Sequence, residues 1–235
     1  MIGAFETLRV ADGVPFAWQR HVDRLRVSAG ELGISVPDTQ LREAVDAVLA
    51  ANELRDARVR ITVTDEPGLY VVASAIEPAT PTVDVVVAPW AHDQFGALVG
   101  LKTISYAGNV RGLVYANDHG ADEAVFANAW GDLCEATTAN IFVVQDGVLR
   151  TPPLTAGCLP GVTRALLLEI ARDLQIPTEE ADIPIDALAR VDEAFLSGSV
   201  RGVQAIAHVD GEPLRAAPGP ITTRLRDRLM RAGGG

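Results

Sequence analysis

The chain has 235 residues, of which 48% are hydrophobic and 22% charged, and its formal net charge is -11. This length and composition predict a globular protein with a substantial core in one large or two modest domains. The negative charge argues against nucleic-acid binding, because phosphate backbones are bound by excess positive charge. Two cysteines and four scattered histidines show no metal-ligand spacing, so we predict no metal site and a reducing, cytoplasmic location. No apolar run reaches the ~20 residues of a membrane span, so no membrane association is expected.

The first part of the chain predicts an α+β unit. Alternating or apolar runs bounded by turns predict strands at residues 4–10, 58–64, 69–76 and 83–88. Apolar residues at helical spacing predict helices at residues 16–33 and 38–54, and residues 65–68 predict a hairpin turn. Helices packed on one face of a sheet would form a small α/β sandwich domain over residues 1–92. An irregular segment, residues 93–100, is the expected linker.

The remainder of the chain has many short strands and few helices, which predicts a larger, barrel-like domain over residues 101–235. Strands are predicted at residues 123–129, 133–137, 140–145, 148–151, 193–197 and 202–209. Helices are predicted at residues 105–119, 161–174, 185–190 and 220–231. The fold class is therefore α+β with two domains.

Lys102 is the only lysine beside nineteen arginines. Arginine serves solvation and ion pairing equally well, but it cannot act as a nucleophilic amine. A single lysine therefore indicates Schiff-base chemistry, although a surface lysine of no function is the alternative at this point.

Two turns could bind an anion. Leu159-Pro160-Gly161-Val162-Thr163-Arg164 runs into a helix, where unpaired N–H groups and the helix dipole favour negative charge. Ser197-Gly198-Ser199-Val200-Arg201-Gly202 joins two strands and could hold a phosphate or a substrate carboxylate. Either turn alone is also compatible with an ordinary loop that binds nothing.

A carboxylate and a histidine–arginine pair complete a set of reactive groups. Glu135 stands in an otherwise uncharged strand end and needs a partner, which could be a protonated pyridine nitrogen or an arginine. His21 and Arg24, three residues apart on the first helix, could face a phosphate or simply pack. An amine, an anion site, a carboxylate and an arginine are the groups that pyridoxal phosphate requires.

The motifs resemble the class IV aminotransferases, the fold-type IV pyridoxal-phosphate enzymes, over almost the whole chain. This family includes branched-chain and D-amino-acid aminotransferases and 4-amino-4-deoxychorismate lyase. The matching segments, in chain order, are Phe5-Glu6-Thr7-Leu8-Arg9, His21-Val22-Asp23-Arg24-Leu25, Leu101-Lys102-Thr103, Gly120-Ala121-Asp122-Glu123-Ala124, Glu135-Ala136-Thr137-Thr138-Ala139-Asn140-Ile141-Phe142, Leu159-Pro160-Gly161-Val162-Thr163-Arg164 and Ser197-Gly198-Ser199.

The resemblance implies a role for each matching residue. Lys102 would bind the cofactor covalently and move the proton, and Glu135 would hold the pyridine nitrogen. The remaining cofactor contacts implied are Arg24, Leu159, Gly161, Val162, Thr163 and Ser199. Thr138, Val200 and Arg201 are the expected contacts of an amino-acid-like substrate, and a homodimer is expected.

The specific reaction is less determined by the motifs. Arg201 stands where aminotransferases generally have a small or acidic residue, and the Asn-Tyr and Gly-Gly features of branched-chain enzymes are missing after Lys102. A dicarboxylate substrate could use the additional guanidinium, which favours the lyase. An amino-acid transaminase is the second hypothesis, and a non-catalytic binding protein is the third.

Overall fold

A computed structural model describes residues 1–66, 68–77 and 80–233, so Pro67 of the predicted hairpin turn lies outside the described residues. The helices in these ranges are α1 (Trp18–Glu31), α2 (Asp38–Ala51), α3 (Ala107–Asp118), α4 (Val162–Asp173) and α5 (Pro220–Arg231). Short 3-10 helices lie at Leu154–Ala156 and Ile185–Arg190. The strands are β1 (Gly3–Ala11), β2 (Val14–Pro15), β3 (Ala57–Thr64), β4 (Gly68–Ala75), β5 (Thr82–Val87), β6 (Glu123–Ala127), β7 (Leu133–Ala136), β8 (Asn140–Gln145), β9 (Val148–Thr151), β10 (Thr178–Glu180), β11 (Glu193–Gly198), β12 (Gly202–Val209) and β13 (Glu212–Pro213).

The first sheet is antiparallel, with the strand order β2-β1-β3-β4. Side chains alternate between the faces of a strand, so Ala4, Leu8 and Val10 of β1 point to one side and join a buried core. Val22 and Leu25 of α1 belong to the same core because the three-residue spacing places them on one helix face. Helices therefore cover one face of this sheet, as the sequence predicts.

The second sheet is a curled half barrel with the order β10-β9-β8-β11-β12-β5-β6-β7, to which β13 adds at β12. Its main core contains apolar side chains of β5, β6, β8, β11 and β12. Helix α4 packs against β11, and α5 packs against β11 and β12. The predicted combination of a small sheet and a larger barrel-like sheet is confirmed.

The boundary between the two compact units differs from the predicted one. The first unit consists of Met1–Pro78 and Leu101–Tyr106, and the second of Ala79–Gly100 and Ala107–Gly233. Strand β5 lies in the second unit because it pairs in parallel with β6 and β12. Residues 93–100, the predicted linker, also belong to the second unit, and Lys102 belongs to the first. The strands that pair with β5 are distant from it in sequence, which is why the local pattern misplaces the boundary.

Candidate active site

Lys102 is held in the first unit by its backbone. Its N–H donates to Ser28 Oγ of α1 at 2.9 Å, and its carbonyl accepts from the Phe5 N–H of β1 at 3.0 Å. Its Nζ lies 4.5 Å from the ring centroid of Phe5 and 5.6 Å from that of Tyr106. The amine of the single lysine is therefore placed against two aromatic rings, whose faces attract an ammonium group.

Arg24 is fixed by a buried carboxylate. Its Nε and Nη2 donate to the two oxygens of Glu6 at 2.7 and 2.8 Å, and His21 Nδ1 lies 2.7 Å from Glu6 Oε2. Burial alone would raise the pKa of Glu6, but the Arg24 charge and the hydrogen bonds of Arg24 and His21 lower it to about 2. Arg24 is therefore an ion-paired guanidinium of fixed orientation.

Glu6 was not predicted as a site residue, although its position in β1 carries a signal. Glu6 has the same parity along β1 as the core residues Ala4 and Leu8, so its side chain points into the core, where it is 1% exposed. A carboxylate at such a position requires a charged or hydrogen-bonding partner.

In the second unit, Glu135 and Leu159 are brought together. Glu135 lies on β7 and is 8% exposed, and its Oε2 accepts the Leu159 N–H at 2.9 Å. The other carboxylate oxygen lies 3.9 Å from His92 Nε2, which exceeds a hydrogen-bond distance. Burial lowers the pKa of His92, although Asp93 and a backbone hydrogen bond to Gly157 oppose the shift. His92 was not predicted from the sequence.

The segment 159–161, which Glu135 binds at Leu159, leads into α4. Leu159 is also bound through its carbonyl, which accepts from Asn140 Nδ2 at 2.8 Å. Gly161 occupies the N-cap position of α4 with an extended backbone (φ -66°, ψ 135°). Because glycine has no side chain, no side-chain cap binds the first N–H groups of the helix from this position. Val162 and Thr163 begin the helix and are buried. Their N–H groups are at the positive end of a helix whose first turn carries no acidic residue, so this end can accept an anion.

The turn between β11 and β12 contains Ser199, Val200 and Arg201. Arg201 Nη2 donates to Glu123 Oε2 at 2.7 Å and to Thr138 Oγ1 at 2.9 Å, so the structure brings the predicted residues Arg201 and Thr138 together. Burial raises the pKa of Glu123 despite the opposing charge of Arg201. Arg201 is therefore ion-paired with Glu123, a partner that was not predicted from the sequence.

Within residues 1–66, 68–77 and 80–233, no group of three histidine, cysteine or acidic side chains is arranged to hold a metal ion. No helix in this part of the chain has the length and apolar character needed to cross a membrane.

Comparisons with known proteins give consistent matches. Residues 3–209 match the model of the family described as amino-transferase class IV. A D-alanine aminotransferase of Listeria monocytogenes is 27% identical, over 97% of this chain and 86% of the relative.

Two solved structures are similar over nearly the full chain. A branched-chain aminotransferase of Thermoproteus uzoniensis, solved with norvaline, is 31% identical with a TM-score of 0.87, covering 99% of this chain and 86% of its own. A Legionella pneumophila protein to which 4-amino-4-deoxychorismate lyase activity is attributed is 25% identical with a TM-score of 0.92, covering 98% and 91%.

Proposed function

Since the chain belongs to the class IV aminotransferase family and is a pyridoxal-phosphate-dependent enzyme of fold type IV, we propose that it is a 4-amino-4-deoxychorismate lyase. The reaction converts 4-amino-4-deoxychorismate into 4-aminobenzoate and pyruvate. It needs no second substrate, because elimination of pyruvate makes an aromatic ring.

The extent of the structural match is the observation that supports the lyase. The similarity to the Legionella protein has a TM-score of 0.92 and extends over 91% of that chain, against 0.87 and 86% for the aminotransferase of Thermoproteus uzoniensis. The second carboxylate of the lyase substrate would need a cationic partner, and Arg201, which the ion pair with Glu123 holds in place, is the guanidinium that we assign to it.

The described residues fit pyridoxal phosphate. Glu135 is a nearly buried carboxylate that can pair with a pyridinium nitrogen, and the α4 N-terminus can accept the phosphate. Ser197 adds a hydroxyl that is 1% exposed, and its Oγ makes no hydrogen bond within the described part of the chain. A buried hydroxyl without a partner is costly, so an acceptor such as a phosphate oxygen would satisfy it.

The proposed roles follow from the chemistry of the side chains. When bound, pyridoxal phosphate supplies an electron sink that stabilises a carbanion next to the substrate nitrogen. Lys102 Nζ would hold the cofactor and, when the substrate amine takes its place, would accept the proton from the carbon that bears that amine. Loss of this proton and of the enolpyruvyl group would leave the aromatic ring of 4-aminobenzoate, and Lys102 would return the proton to the enolpyruvate, which gives pyruvate.

An amino-acid transaminase is the second candidate. It is supported by the D-alanine aminotransferase of Listeria monocytogenes and by the branched-chain aminotransferase of Thermoproteus uzoniensis. Lys102 would start the reaction in the same way, but the enzyme would keep the amino group until a 2-oxo acid arrived.

The two candidates differ in what they consume. The purified holoenzyme is given 4-amino-4-deoxychorismate without any 2-oxo acid and, separately, a panel of D- and branched-chain amino acids with pyruvate or 2-oxoglutarate. We expect 4-aminobenzoate and pyruvate in equal amounts in the first reaction. Amino transfer from the panel without any 4-aminobenzoate would refute the lyase and support the transaminase.

Arg201→Ala provides a second measurement on the same enzyme. Because the guanidinium is proposed to contact substrate, this variant should raise KM for 4-amino-4-deoxychorismate while cofactor affinity stays near the wild-type value. An unchanged KM would remove Arg201 from the substrate site.

A further inference from the structure

We propose that Asn140 is a positioning residue for the cofactor, because it fixes the segment 159–161 between the Glu135 carboxylate and the N-terminus of α4. This inference rests on the proposed function, in which Glu135 holds the pyridine nitrogen and α4 receives the phosphate. Asn140 itself would touch neither group and would act through the backbone of Leu159 and Gly161.

The first observation is that both polar groups of Leu159 are bound to side chains. Its N–H donates to Glu135 Oε2 at 2.9 Å, and its carbonyl accepts from Asn140 Nδ2 at 2.8 Å. Glu135 lies on β7 and Asn140 begins β8, and both are at most 8% exposed. A residue whose N–H and carbonyl are both bound by buried side chains has little conformational freedom, since breaking either hydrogen bond leaves a buried polar atom unpaired.

The second observation concerns Gly161. Its φ of -66° is allowed for every residue type, so backbone conformation does not require glycine here. The lack of space requires glycine, because a Cβ at this position would overlap Asn140 Oδ1 and would lie only 3.2 Å from the Arg164 Cβ. Asn140 therefore bonds the first residue of the segment and packs directly on its last residue, which is the N-cap of α4.

This geometry matters for a rigid ligand. Pyridoxal phosphate carries its phosphate on a CH2 group meta to the ring nitrogen of one rigid aromatic ring, so a site must hold a carboxylate and an anion-binding end at a fixed spacing. Asn140 sets the path of the chain between these two groups. Pyridoxal, which lacks the phosphate, can use the carboxylate alone and is insensitive to the spacing.

The test compares Asn140→Ala with a matched control, Thr151→Val. Thr151 is fully buried, and its hydroxyl donates at 2.8 Å to the Ile141 carbonyl of β8, so the control also removes one buried side-chain hydrogen bond to the backbone. Dissociation constants of pyridoxal phosphate and of pyridoxal are measured on each apoprotein. Amide hydrogen exchange of residues 159–163 is measured on the same samples without cofactor.

We expect Asn140→Ala to weaken pyridoxal phosphate binding about tenfold, the effect of one buried hydrogen bond, while pyridoxal binding changes little. Exchange of the Leu159 amide should accelerate in this variant and stay unchanged in Thr151→Val. Equal preference for the phosphorylated form in wild type and Asn140→Ala, with unchanged exchange, would overturn the proposal. An equal loss in Thr151→Val would overturn it as well, because the effect would then be general destabilisation.

A double-variant cycle tests the contact with Gly161. Gly161→Ala should weaken pyridoxal phosphate binding strongly, and the same change made in Asn140→Ala should cost less, because the overlapping amide is gone. Strictly additive effects would contradict the contact. A wild-type protein that binds pyridoxal phosphate no better than pyridoxal would instead refute the phosphate role of α4, so failure of the proposed function is recognised separately.

Discussion

Two buried carboxylates of this protein form ion pairs with arginines of other elements. Glu6 of β1 holds Arg24 of α1, and Glu123 of β6 holds Arg201 in the turn before β12. An arginine with a bound partner keeps one orientation, so its remaining donors are presented without a large loss of side-chain entropy.

The Glu6 carboxylate should control acid stability. Its folded-state pKa of about 2 is below the ordinary value of 4.5, so its stabilisation is complete above pH 4.5 and is lost as the pH falls towards 2. Glu6→Gln should lower the free energy of unfolding near neutral pH by about 3 kcal/mol, because it removes the buried charge that pairs with Arg24. It should also flatten the dependence of that free energy on pH between 4.5 and 2.

The measurement is urea unfolding at a series of pH values. Asp46→Asn is the matched control, since Asp46 pairs with Arg42 on an exposed helix face and its loss should change stability little. Parallel pH curves for wild type and Glu6→Gln would show that Glu6 is not the titrating group.

Glu135→Gln removes the charge of this side chain but keeps its size and its hydrogen-bond acceptor. Glutamine can still accept the Leu159 N–H, so the segment 159–161 should keep its position and the cofactor should stay bound. Only the charge beside the pyridine nitrogen is lost, and we expect kcat to fall about 100-fold or more, because this contact stabilises charge that develops during the reaction. Near-normal kcat with full cofactor occupancy would remove Glu135 from the mechanism.

At the scale of elements, α5 depends on a carboxylate of another element. Glu193 of β11 accepts the Ile221 and Thr222 N–H groups at 3.1 and 2.8 Å and the Thr222 hydroxyl at 2.7 Å. These groups lie in the first turn of α5, whose N-cap, Gly219, has no side chain. A carboxylate here satisfies helix N–H groups and complements the helix dipole.

Glu193→Ala should therefore destabilise the protein by about 2 kcal/mol, measured by thermal or urea unfolding. Glu193→Gln keeps a hydrogen-bond acceptor without the charge and should lose less stability than Glu193→Ala. Equal stability of wild type and Glu193→Ala would show that α5 does not need this cap.

Elements with a strong local pattern could be predicted from the sequence, and their partners could not. The helix of residues 161–174 was predicted after the Pro160-Gly161 turn, and α4 begins at Val162. Strand β5 was also predicted, but its parallel pairing with β6 and β12 depends on residues far along the chain. The two- and three-residue strands β2, β10 and β13 were missed, because so few residues carry no periodicity.

The same limit applies to the candidate site. Lys102 was predicted because a Schiff base requires a lysine and the chain has one. His92 and the ion pair of Arg201 with Glu123 were missed, since they join residues that only the fold brings together.

We propose that the protein is a homodimer, as the family resemblance implies. Light scattering of the active enzyme should give twice the mass of the 24.9 kDa chain. A fully active species with the mass of one chain would contradict this proposal.

Borohydride reduction of the holoenzyme shows which amine of the chain holds the cofactor, and we expect that amine to be Lys102 Nζ. Reduction makes the bond between an amine and the cofactor permanent, and peptide mapping by mass spectrometry then locates the label. Because Lys102 is the only lysine, the amino terminus is the single other primary amine of the chain. We predict one label per chain on the peptide that contains Lys102, and none in Lys102→Arg, which keeps the charge without a nucleophilic amine. A holoenzyme that takes no label, or takes it at the amino terminus, would contradict the account.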